Sequence, residues 1–127
     1  MSELVNLDET YATAKKHADS PHNMGPMDSF SGHARITGPC GDTMEFWILV
    51  EEGKIRKVSF ITDGCDPSRA CGSMTTCMAE GKSIEEAQAI SQKDVLNVLD
   101  GLPEDHEHCA LLATNTLKAA CEDYLNQ

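Results

Sequence analysis

The sequence has 127 residues, 40% hydrophobic and 24% charged, the composition of one globular domain. Its formal charge of −11, from 21 acidic and 10 basic residues, excludes a sequence-independent nucleic-acid surface and an anionic-membrane surface, since both need basic patches. The N-terminus shows no basic-then-apolar signal pattern and no apolar run long enough for a membrane helix, so a cytoplasmic location is expected.

In chain order, residues 3–18 read as a helix, with Leu4, Leu7, Tyr11, Ala14 and Ala18 at helical spacing and Asp19-Ser20-Pro21 as its stop. Residues 20–30, rich in Pro, Gly, Ser and Met, read as a loop. Three strands are predicted next: a weak one at Gly32–Thr37, then Thr43–Val50 and Ile55–Thr62. In the second, Met44, Phe46, Ile48 and Val50 alternate with Glu45, Trp47 and Leu49, which predicts cover on both faces. Glu51-Glu52-Gly53-Lys54 reads as a hairpin turn, so the last two strands should pair antiparallel.

After Asp63 the period becomes helical. Asp66-Pro67 reads as an N-cap followed by N1, opening a helix to about Glu80 with Gly81 at its stop. Ser83-Ile84-Glu85-Glu86 has capping-box form and opens a short helix. Gln92–Leu99 reads as another helix, and the acidic stretch Asp100–Glu107 as a solvated loop before a last helix to about Leu125. This order predicts an α+β domain over 1–127, with helices on one face of a three-stranded antiparallel sheet.

The six cysteines are separated by 25, 6, 6, 32 and 12 positions, so there is no C-x-x-C redox or zinc-ribbon spacing. In a reducing compartment, spaced thiols point to metal or sulfur chemistry rather than disulfides. Cys40 falls in the turn Gly38-Pro39-Cys40-Gly41-Asp42, Cys65 before a helix, and Cys109 at the start of another. Helix N-termini lower a thiol's pKa, and glycines beside Cys40 and Cys65 allow close backbone approach. Turn positions of this kind should bury poorly. Asp42 and His108 are additional ligands beside two of the thiols, and three soft sulfurs with a carboxylate or imidazole suit zinc or iron–sulfur binding. Cys71, Cys77 and Cys121 read as core residues within helices, with a cluster or redox role for Cys71 as the alternative. His17, His22 and His33 read as surface residues without a metal role.

At these residues the chain resembles the NifU/IscU-type iron–sulfur cluster scaffold family. The matching segments are Gly38-Pro39-Cys40-Gly41-Asp42-Thr43-Met44, Gly64-Cys65 and His108-Cys109-Ala110-Leu111-Leu112-Ala113. Pro21-His22-Asn23-Met24-Gly25, Gly81-Lys82-Ser83-Ile84-Glu85-Glu86-Ala87 and Leu117-Lys118-Ala119-Ala120 support them. The resemblance implies a scaffold, not an enzyme, holding a transient 2Fe–2S cluster on Cys40, Cys65 and Cys109, with His108 fourth and Asp42 alongside or in its place. It implies Cys109 as acceptor of persulfide sulfur from a cysteine desulfurase, Asp42 as the residue of ligand exchange, and zinc as an alternative occupant. Iron and electrons would come from other donors, recipient apo-proteins would take the cluster, and the state would be a monomer or a cluster-bridged homodimer. The further domains of long NifU proteins are not expected.

Where bacterial and mitochondrial members carry Leu-Pro-Pro-Val-Lys, bound by an Hsp70-type chaperone, this chain has Leu102-Pro103-Glu104-Asp105-His106. The reversed charge argues against that partnership, and His106 becomes an alternative ligand. Two other readings are a zinc-containing sulfur-transfer protein using a persulfide on Cys109 or Cys65, and a structural zinc domain.

Overall fold

The computed structural model describes residues 7–127. Its sheet has the order β1-β2-β3, with β1 Gly32–Thr37, β2 Thr43–Glu51 and β3 Lys54–Thr62, both pairings antiparallel. The β2–β3 turn closes on the pair Glu51↔Lys54, with Glu52 at φ +54° and Gly53 at φ +78°, a two-residue turn whose twist suits a hairpin. A bulge at Leu49/Val50 shifts the register.

Alternation decides the faces. Met44, Phe46 and Ile48 of β2 and Val58 and Phe60 of β3 enter the core, under α2 (Asp66–Ala79) and α5 (His108–Leu125). Trp47 points to the other face and is still buried, against the His33 ring. Cover on both faces of β2 is therefore observed. α2 lies closely on β3: a Cβ on Gly72 would run into the Phe60 ring.

The remaining helices are α1 (Ala12–Asp19), α3 (Ile84–Gln88) and α4 (Gln92–Leu99). Capping boxes open α3 at Ser83/Glu86 and α4 at Ser91/Asp94. Among the described residues, no helix is long and apolar enough to cross a membrane.

The helix predicted over 3–18 is shorter, and its first part lies outside the described residues. The Asp8 side chain accepts from the Thr10 N–H at 2.9 Å and opens a 3-10 turn, Glu9–Tyr11, so α1 begins only at Ala12. Asp66 is not the N-cap of α2: Cys65 is, in extended conformation, and Asp66 is the first helical residue. The acidic loop contains a second 3-10 turn, Glu104–His106, anchored by buried Leu102. The loop over 20–30 is partly tied down. Gly25 N–H donates to Phe60 O at 2.8 Å and Phe60 N–H to Asn23 O at 3.0 Å, covering the outer edge of β3.

Candidate functional site

Antiparallel pairing brings the end of β1, the start of β2 and the end of β3 to one end of the sheet. Cys40 is exposed in the β1–β2 turn, which is closed by Gly38 N–H donating to Asp42 O at 2.8 Å. Cys65 is half-buried in the β3–α2 turn. Short bonds stitch the bases of the two turns together. Thr43 N–H donates to Asp63 Oδ1 at 2.8 Å, Thr62 Oγ1 to Thr43 O at 2.7 Å, and Gly64 N–H to Thr62 Oγ1 at 3.1 Å.

The first turn of α5 closes the third side. Cys109 is 1% exposed, which overturns the expectation that all three of these thiols bury poorly: α2 and its buried Ser68 lie against it. Burial pushes the Cys109 thiol up to about 11, and only the Ser68 hydrogen bond opposes this; Asp42, Cys65 and Cys40 raise it further. The net shift is upward, opposite to the lowering that a helix N-terminus alone would give. Ser68 Oγ donates to Asp42 Oδ2 at 2.9 Å and stands 3.5 Å from Cys109 Sγ. Asp42, Ser68 and Cys109 thus form one connected group, with Cys65 and Cys40 close enough to act electrostatically on Cys109. Gly64 leaves the space for it, since a Cβ there would collide with Ser68 and come within 2.8 Å of Asp42 Oδ2.

His108 begins α5, half-buried, with its ring 6.1 Å from that of half-buried His106. Among the described residues, no three His, Cys, Asp or Glu side chains stand at metal-holding spacing. The donor set of three thiols, a carboxylate and an imidazole nevertheless suits zinc or iron–sulfur chemistry.

Cys71 and Cys121 are buried in the core, while Cys77 is half-buried, at the rim rather than inside. The Cys71 thiol is pushed well above its ordinary range by burial and then by Cys109. His22 is exposed, but His17 and His33 are not simple surface residues. His17 Nδ1 is 2.7 Å from Ser73 Oγ and His33 Nε2 is 2.5 Å from Glu45 Oε2, both half-buried. Sequence reasoning missed Ser68. A serine in a helix's first turn reads as ordinary helix-start chemistry, and its partners are 26 and 41 positions away.

The family model described as NifU-like N terminal domain matches residues 11–127. An iron–sulfur cluster assembly scaffold protein IscU from Archaeoglobus fulgidus is 38% identical over 112 residues, which is 87% of this chain and 73% of that protein. The IscU scaffold protein of Escherichia coli is 39% identical over 113 residues, covering 85% of this chain and 88% of that one. The N-terminal NifU-like structure from Brucella abortus has a TM-score of 0.73 at 14% identity, covering 91% and 93% of the two chains, a likeness of fold.

Proposed function

Because the chain belongs to the family of NifU-like N-terminal domains, we propose that it is a scaffold on which a transient 2Fe–2S cluster is assembled and from which apo-proteins receive it. The observation that carries this is the junction of Asp42 and Cys109 through one hydroxyl, beside two cysteine-bearing turns tied together at their bases. In this reading Cys40, Cys65 and Cys109 hold the cluster, and Asp42 or His108 completes it. His106 is the neighbouring alternative to His108. Zinc is the other occupant that this donor set accepts.

Sulfur arrives as the persulfide of a cysteine desulfurase. The Cys109 sulfur, once its proton is lost, attacks the outer sulfur of that persulfide. A new S–S bond forms on Cys109, the donor's S–S bond breaks, and the donor cysteine leaves as thiolate. Asp42 serves ligand exchange. An oxygen or nitrogen ligand in place of a fourth thiolate, at a site with exposed Cys40, makes the cluster easier to release than a four-thiolate site. Iron and electrons come from separate donors, and the protein works as a monomer or as two copies bridged by the cluster. We place it in the cytoplasm, where thiols stay reduced. Exposed Glu104 and Asp105 argue against a chaperone contact that needs a basic residue there.

Anaerobic reconstitution with iron and sulfide tests the reading. The wild-type chain is expected to show 2Fe–2S absorption and Mössbauer signatures. Alanine at Cys40, Cys65 or Cys109 should remove them, and Cys121→Ala should not. A cluster that survives in the triple alanine variant refutes the assignment.

A further inference from the structure

The Ser68 hydroxyl has one hydrogen and two neighbours that could accept it, the Asp42 carboxylate at 2.9 Å and the Cys109 sulfur at 3.5 Å. A carboxylate oxygen is a stronger acceptor than a thiol sulfur and its contact is the shorter, so the hydrogen goes mainly to Asp42 Oδ2 and only in part to Cys109. Ser68 is 0% exposed, and its position on α2 is imposed by the helix, so it holds that oxygen without freedom to swing away. Among the described residues, Asp42 Oδ1 has no side-chain hydrogen-bond partner. The two oxygens of one carboxylate are thereby made unequal.

We propose that Ser68 is the positioning residue for metal capture at this site: it retains Asp42 Oδ2 and leaves Oδ1 as a single-oxygen ligand presented beside Cys109. The inference rests on the reading of Asp42 and the thiols as metal ligands. Partners one shell outside the ligands fix ligand orientation, and their loss lowers metal affinity by about 10–100-fold. Ser68 acts through Asp42 and touches no metal itself, so its effect must vanish when Asp42 is gone. Gly64 belongs to the same device, because any side chain there would displace both members of the pair.

The test uses the whole chain, reduced and anaerobic, with zinc as the probe in competition with a chromophoric chelator. Ser68→Ala is expected to weaken zinc binding about 10–100-fold. Ser68→Thr, which keeps the hydroxyl, should restore most of it, whereas Ser68→Val, of the same size, should not. That matched pair gives the comparison even if the alanine variant loses helix content. In an Asp42→Ala background, Ser68→Ala should produce no further loss. With cobalt as a spectroscopic probe, the visible bands of Ser68→Ala should move toward those of Asp42→Ala. Equal zinc affinity in Ser68→Ala and wild type overturns the inference, as does a loss of the same size in the Asp42→Ala background. If wild type binds zinc no better than the Cys65→Ala/Cys109→Ala variant, the metal-site reading itself falls and takes this inference with it.

Discussion

Cys109 and His17 show how one side chain's surroundings set its proton affinity. For Cys109, burial outweighs the Ser68 hydrogen bond and holds the thiol at about 11, which keeps it protonated at neutral pH. Sequence spacing places this residue correctly at the start of α5 but cannot show that α2 covers it. For His17, burial lowers the pKa below 6.5, with His22 and Lys16 adding to the effect, while the Ser73 hydroxyl meets Nδ1. The sign follows directly. The unfolded chain takes up a proton at about 6.5 and the folded chain only at lower pH, so His17 stabilises the fold above 6.5 and that contribution is lost on acidification. The urea midpoint should therefore fall between pH 7.5 and pH 5.5, and His17→Gln should flatten part of that slope. A His17 NMR titration midpoint at or above 6.5 would contradict the argument.

Among the elements, α2 does the most for the site, since Cys65 caps it and Ser68 lies in its first turn. Its placement depends on Gly72, where the Phe60 ring occupies the space of a side chain. Gly72→Ala should cost about 1–3 kcal/mol by overpacking, despite alanine's better helix propensity, and urea denaturation would measure it. Ser83→Ala removes a capping box beside the β2–β3 hairpin, at the other end of the sheet from Cys40 and Cys65. It should cost about 1 kcal/mol in the same assay and leave zinc affinity unchanged. The elements were largely legible because their signals are local. β1 has the bounds predicted for the weak first strand, β2 and β3 differ by a residue at the hairpin, and the Ser83 capping box is read directly from four residues. The 3-10 turn at Glu9–Tyr11 was not legible, because one Asp8 side-chain bond decides it. The Asp42–Ser68–Cys109 group was not legible either: it joins three elements that meet only after folding.

The sequence carries a charge of −11, and among the described residues its Lys and Arg side chains pair with acids only at Lys15–Asp19, Arg56–Glu51 and Arg69–Asp66. Such an excess of one charge repels itself, and salt of about 0.1 M screens beyond roughly 10 Å. Thermal unfolding should therefore shift upward between 10 mM and 300 mM NaCl in the metal-free protein, whereas a surface stabilised by ion pairs would shift down.

A three-stranded sheet has two raw edges, and each invites a second copy to add a strand. Here residues 23–25 occupy the β3 edge. At β1, the Asp123 carboxylate accepts the His33 N–H at 3.0 Å and Gln127 Nε2 donates to Ser31 O at 2.7 Å. Among the described residues, these bonds occupy the β3 edge at residues 23–25 and the β1 edge near its first residues, which leaves a second copy less free backbone to add a strand to.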